Sequence, residues 1–285
     1  MATVLTATEK NLGEFSVKRI LPHAQQQMIG PFIFFDHFGL VTFPAGRGVD
    51  VRPHPHIGIA TITYLFEGSV LHRDSLGCVQ EIVPGDINWM VAGKGIVHSE
   101  RETEAVNQCD HSLHGLQLWI ALPDGQEEIE PLFAHHARDT LPAFGYQGVR
   151  VTLMVGDLWQ HQSPVQAYSD MVYADLVMPE QTDITLPAQG REYGCYVIAG
   201  SVLLNDTAYR SGDFVYISVD EHAHLQAQQD SQVVVIGGHP FNSERHVWWN
   251  FVSSSRERIE QAKHDWQTGD FGSVPGDEEF IPLPR

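Results

Sequence analysis

Short runs of alternating apolar and polar residues, punctuated by glycine and proline, occupy most of the chain. Residues 14–21 (EFSVKRIL) read as a strand after a polar start. The run MIGPFIFFDHFG, residues 28–39, is dense in aromatic side chains. Phe32, Phe34, Phe35 and Phe38 are expected in the core or as the wall of a pocket, and His37 as a supporting residue. The stretch VTFPAGRGVDVRPHPH reads as loop because of its glycines and prolines. From Ile57 onward ATITYLF, SVLHRDS, CVQEIV, INWMVA, IVHSE and LHGLQLWIALP are separated by Glu67-Gly68, Leu76-Gly77, Pro84-Gly85-Asp86 and Gly93-Lys94-Gly95. Strands at intervals of about ten residues with such turns predict an all-β sandwich or barrel. His114 and Gln117 are further candidates to face its interior.

The second half echoes the first. Tyr64-Leu65-Phe66-Glu67-Gly68-Ser69-Val70 resembles Tyr196-Val197-Ile198-Ala199-Gly200-Ser201-Val202, and Pro84-Gly85-Asp86-Ile87 resembles Ser211-Gly212-Asp213-Phe214. Such self-similarity indicates a duplicated β-domain. The expected division is an N-terminal domain over 1–123, a connection over 124–148, and a second domain with a terminal helix and tail over 149–285. In the connection, His135 and His136 are adjacent and would face opposite ways in a strand. The helix is read in SSSRERIEQAKHDWQTGDFG, with Ser254 and Glu257 as a capping box and Gly269 as the stop. Ile259, Ala262 and Trp266 give it an apolar stripe.

Composition narrows the class. Hydrophobic residues make up 42% of the chain, enough for a real core, and the formal net charge is −19. That charge argues against direct contact with nucleic acid, whose phosphates attract basic patches, and against an anionic membrane surface. Cys78, Cys109 and Cys195 are few, widely spaced and odd in number, which indicates neither a disulfide framework nor a cysteine metal site. With no apolar leader at the N-terminus and no membrane-length apolar run, the expectation is a soluble protein of the reducing cytoplasm. A monomer is expected.

The chemistry concentrates at two spots. His54-Pro55-His56 and His98-Ser99-Glu100 each place two donor side chains two residues apart. In a strand such residues share a face. Two neighbouring strands would therefore aim three imidazoles and one carboxylate at a single interior point. That donor set suits a divalent metal: Fe, Ni, Mn, Zn and Cu all accept it. In the second half, His54 and His56 correspond to Leu186 and Ala188, and only His222, His224 and Gln226 stand near the equivalent of His98. The second domain is expected to be structural.

The order of these motifs resembles the pirin family. The resemblance is carried by Phe35-Asp36-His37-Phe38-Gly39, Pro53-His54-Pro55-His56, Tyr64-Leu65-Phe66-Glu67-Gly68, Pro84-Gly85-Asp86, Ala92-Gly93-Lys94-Gly95-Ile96-Val97-His98-Ser99-Glu100 and Leu113-His114-Gly115-Leu116-Gln117-Leu118-Trp119. It implies two cupin-type β-barrel (double-stranded β-helix) domains with a C-terminal helix. It also implies one metal, Fe(II) foremost, held in the first domain by His54, His56, His98 and Glu100. Some bacterial pirins act as quercetin 2,3-dioxygenases, opening the flavonol ring with O₂ and releasing carbon monoxide. Human-type pirin is an iron-containing cofactor of transcription regulators. The resemblance thus implies either a flavonol dioxygenase, with Glu100 as general base, or a regulatory protein that contacts a protein partner without turnover. An isomerase or hydrolase using the same metal as a Lewis acid is a third reading. Phe32, Phe34, Phe35 and Trp89 are the expected walls for a flat substrate. One departure stands out: a glutamate found in many family members four residues after the second histidine is Ala60 here.

Overall fold

The computed structural model describes residues 2–284, and the chain is built almost entirely of antiparallel strands. It forms two compact units. One comprises residues 9–19, 34–138 and the chain from Asn242 onward; the other comprises the residues up to Thr8, 20–33 and 139–241. The expected boundaries at 123 and 149 therefore differ from the observed division. N-terminal segments are shared with the second unit, where Thr3–Val4 pairs with Phe214–Ile217, and the C-terminal helix belongs to the first. The region 124–148 is more than a connection. Leu132–His136 pairs with Ile87–Val91, and Ala143–Tyr146 with Val149–Leu158. Both are outer strands of their sheets, so neither carries the strong apolar alternation that marks a central strand.

The first unit contains two large sheets and a two-stranded one, His246–Trp248 with Phe251–Ser253. A seven-stranded sheet has Ile59–Glu67, His111–Ala121, Phe32–Phe43 and Ser16–Leu21 as neighbours in that order. A four-stranded sheet runs Val51–His56, Ile96–Arg101, Val70–Asp74, Val79–Ile82. Side chains from both sheets line one internal cavity. The Val51–His56 strand lies at an edge, which suits Pro53 and Pro55, because proline has no N–H to give to a ladder. Residues 41–56, read as loop, thus include this strand.

The second unit has an eight-stranded and a four-stranded sheet. Its interior is closed by apolar packing in which Leu186, Ala223, Leu225, Val202, Val233 and Val235 meet. The duplication read from the sequence shows in the turns. Gly68 and Gly200 have φ of +85° and +80°, and Gly85 and Gly212 have φ of +89° and +93°. A Cβ at Gly68 would lie 2.3 Å from the carbonyl oxygen of Ser112, and one at Gly200 2.3 Å from Oγ of Ser231. Only glycine meets both demands, of torsion and of space.

The terminal helix spans Arg256–Thr268 and ends at Gly269 in the left-handed conformation. Its N-cap is Ser255, whose Oγ accepts from the Arg258 N–H, one residue later than expected. Ser254 is engaged elsewhere, giving its N–H and hydroxyl to the Glu127 carboxylate. Ile259 and Ala262 are buried against Ile57 and Phe251, with Trp266 half-buried beside them. No helix among the described residues is long and apolar enough to cross a membrane.

Candidate metal centre

Strand register brings the two histidine motifs together. His54 lies directly opposite His98, and His56 opposite Ile96. Because i and i+2 share a face, His54, His56 and His98 all turn inward. All three are buried, and one nitrogen from each lies within 4.8 Å of the others. The closest pair is Nε2 of His56 and Nε2 of His98, 3.1 Å apart. Burial pushes the His54 pKa down to about 4 and holds His56 and His98 well below the usual imidazole range. The cluster is therefore uncharged at neutral pH and rich in lone pairs.

These donors fit a divalent ion. Nδ1 of His54 donates to the carbonyl oxygen of Arg52 at 2.8 Å, which leaves Nε2 of that ring as the lone-pair nitrogen. A separation of 3.1 Å between two ring nitrogens is what two imidazoles side by side on one ion at about 2.1 Å would show.

Glu100 stands apart from the three imidazoles. A register irregularity between His98 and Glu100 puts Glu100 opposite Val51 rather than in step with His98. Such a bulge re-aims the side chain. Its carboxylate lines the cavity and accepts from Oγ1 of Thr63 at 3.5 Å. Burial raises its pKa above the ordinary glutamate value. Oγ1 of Thr63 also lies 2.9 Å from Oε1 of Gln117, and of the two candidates His114 and Gln117 it is Gln117 that lines the cavity.

The other sequence candidates go elsewhere. His114 points away from the cavity, and its Nε2 lies 2.9 Å from Nε2 of His37. His135 bonds Asn88 at 2.8 Å, away from the cluster. In the second unit, His224 sits half-exposed beside Asp183 at 3.2 Å, and Leu186 fills the interior where His54 stands in the first. Ala60 is wholly buried between Val91 and Ile120 in the sheet and does not line the cavity, so the departure at this position leaves the cavity wall untouched.

The aromatic wall is only partly the expected one. Phe34 and Phe38 line the cavity, whereas Phe32, Phe35 and Trp89 are buried in packing outside it. Trp119, absent from the expected walls, stacks on Phe34 with centroids 4.0 Å apart and meets His56 edge-on at 5.0 Å. Arg19 lies over the Phe34 ring at 4.3 Å, and Asp36 holds its guanidinium with two contacts of 2.8 Å. The cavity volume is about 150 Å³. That is less than the roughly 300–1,000 Å³ of a site that encloses a whole drug-sized ligand, so a ligand of flavonol size would sit partly in the open mouth.

A further pair was legible only in part. His72 and Asp74 repeat the two-residue spacing of His98 and Glu100 on the neighbouring strand, yet read as ordinary polar positions. In the structure they are buried, with Nε2 of His72 2.9 Å from Oδ2 of Asp74 and Nδ1 of His72 3.4 Å from Nδ1 of His98.

Comparison with known proteins agrees with this architecture. Residues 14–120 match the pirin family and residues 173–272 the pirin C-terminal cupin domain. A pirin-like protein of Caulobacter vibrioides is 41% identical over 286 residues, 99% of each chain. A quercetin 2,3-dioxygenase from Acinetobacter baumannii superposes with a TM-score of 0.90 at 34% identity, covering 100% of this chain and 95% of that one. A bacterial pirin from Escherichia coli, solved with nickel(II), shares the fold with a TM-score of 0.67 at 22% identity, covering 84% of this chain and 100% of that one. With both halves matched in order and the relative aligned end to end, the chain belongs to the pirin family.

Proposed function

We propose that the chain is a metal-dependent dioxygenase that opens the ring of quercetin or a related flavonol with O₂. The observation that carries this reading is the opening of the three-histidine cluster onto a cavity with aromatic walls. An apolar cavity opening beside a group of metal donors is what a small-molecule site requires. The Acinetobacter baumannii enzyme, similar along the whole chain, supports the same choice of substrate class.

In this reading His54, His56 and His98 hold one divalent ion, with Glu100 as the fourth donor. Fe(II) is the proposed ion, and a protein of similar fold, the Escherichia coli pirin, was solved in complex with nickel(II). When bound, the ion supplies Lewis acidity toward the enolic hydroxyl of the substrate and redox capacity toward dioxygen. The protein residues do the rest. Phe34, Phe38 and Trp119 hold the flat ring system and exclude water from it. Glu100, as a carboxylate whose proton affinity burial raises, would leave the ion to take the proton of the substrate hydroxyl. Thr63 steadies the Glu100 carboxylate and is itself held by Gln117.

The test is oxygen uptake with quercetin, using protein loaded separately with Fe(II), Ni(II) and Mn(II), and His98→Ala as the control. Uptake that depends on the metal and disappears in the variant supports the proposal. Stoichiometric metal binding without uptake for any of the three rejects it and favours the regulatory role.

A further inference from the structure

The three imidazoles of the cluster need a defined tautomer: each must turn a lone pair, not an N–H, toward the centre. For His54 the backbone does this, through the Arg52 carbonyl. For His98 the neighbour is another side chain. Its Nδ1 faces Nδ1 of His72 at 3.4 Å. His72 in turn reaches Asp74, with Nε2 and Oδ2 2.9 Å apart. Strand pairing builds this chain, since His98 lies opposite Asp74 and Glu100 opposite His72.

We propose that Asp74 and His72 are positioning residues that set the tautomer of His98 and so make its Nε2 a metal ligand. The proposal rests on the metal-centre reading above. Asp74 is wholly buried and fixed: its Oδ1 accepts the N–H groups of Leu76 and Cys78 at 2.9 and 3.0 Å, which leaves Oδ2 for His72. A carboxylate can only accept, so Nε2 of His72 carries the hydrogen. One hydrogen bridges the two facing Nδ1 atoms; with Nε2 of His72 committed to Asp74, the relay is complete when Nδ1 of His98 donates and Nδ1 of His72 accepts. The lone pair of His98 is left on Nε2, the nitrogen that faces His56. Phe133, stacked on His72 with centroids 4.3 Å apart, holds the plane of the ring. Outer partners of this kind are worth about 10–100-fold in metal affinity.

Asp74→Asn is the decisive variant. The amide oxygen can still accept the turn N–H groups, but the amide nitrogen donates to Nε2 of His72. Every hydrogen in the chain then reverses, and His98 presents an N–H to the centre. His72→Phe keeps the stack on Phe133 and removes the acceptor, and it serves if Asp74→Asn does not fold. Two readouts are needed. Imidazole ¹⁵N chemical shifts of the metal-free protein report the tautomer of His98, and calorimetric titration with Ni(II) reports affinity.

The expected results are an Nδ1–H tautomer for His98 in the wild type, an Nε2–H tautomer in Asp74→Asn, and Ni(II) binding weakened about 10–100-fold in both variants. An Nε2–H tautomer in the wild type, or unchanged affinity in both variants, overturns the proposal. A tautomer that reverses as expected in a protein that binds no Ni(II) upholds the relay and rejects the metal-centre reading instead.

Discussion

Nε2 of His56 and Nε2 of His98 lie 3.1 Å apart although their residues sit on different strands. Two rings alone could share one hydrogen at this distance, but with His54 bringing a third buried nitrogen to within 4.8 Å the group has the donors for a cation. His56→Ala and His98→Ala are each expected to abolish stoichiometric metal binding, read by metal analysis after dialysis. His224→Ala, in the second unit, is expected to leave metal content unchanged. Loss of metal in that variant would move the site away from this cluster.

The contact between Phe34 and Trp119, with rings 4.0 Å apart and 11° from parallel, forms a flat wall beside His56. Phe34→Leu keeps the volume roughly apolar but removes the flat face. An aromatic contact contributes about 0.5–1.5 kcal/mol beyond area burial, so KM for quercetin is expected to rise up to about tenfold. Metal content should not change, because the Phe34 side chain offers no donor atom to the cluster. Steady-state kinetics with metal analysis checks this. An unchanged KM would mean that the substrate lies elsewhere.

The two-residue spacing of His54 and His56 was enough to find the cluster, because a strand converts that spacing directly into a shared face. Alternation failed where both faces of a strand are apolar. Along Phe32–Phe43 the pattern could not separate Phe34 and Phe38, which line the cavity, from Phe32 and Phe35, which do not. Glu100 shares the spacing of His98 and lines the same cavity, but a local irregularity in pairing sets it opposite Val51, and no sequence pattern marks that irregularity. Trp119 was in plain view among apolar neighbours and gains its role only because His111–Ala121 lies between Ile59–Glu67 and Phe32–Phe43 in the sheet. The turn glycines were the most legible feature of the duplication, since their torsions are needed in both units.

His37 gives the fold a dependence on pH outside the metal cluster. Its Nε2 lies 2.9 Å from Nε2 of His114, and Lys18 is a further positive neighbour. Burial, reinforced by His114 and then Lys18, pushes its pKa down to about 3. The unfolded chain takes up a proton near pH 6.5, where the folded protein does not. The stabilisation is therefore complete above pH 6.5 and is lost progressively as the pH falls toward 3. At pH 5 the loss from this residue is about 2 kcal/mol. His37→Gln should remove that share, so urea denaturation of wild type and variant should converge between pH 7 and pH 5. Parallel pH profiles would contradict the assignment.

Arg101 follows the cavity carboxylate Glu100 in sequence and ties the chain's C-terminal segment to this strand. Its guanidinium meets Asp277 at 2.9 and 3.0 Å, Glu279 at 2.6 Å, and Asp50. Nearby, the N–H of Ile281 donates to the carbonyl oxygen of Pro53 at 2.9 Å, and Nε1 of Trp266 donates to the carbonyl oxygen of Ile281. The tail thus covers the outer edge of the strand that carries His54 and His56. Removing Arg101 leaves Asp277 buried without its cation, a loss of about 1–3 kcal/mol. Arg101→Ala should therefore lower Tm by roughly 2–12 °C. Asp277→Asn should cost less, since Arg101 keeps Glu279 and Asp50, and the double variant should cost little more than Arg101→Ala alone, because the Asp277 contact is already gone there. Additive losses in that cycle would show that the two side chains act independently and that the tail is held by its backbone contacts alone.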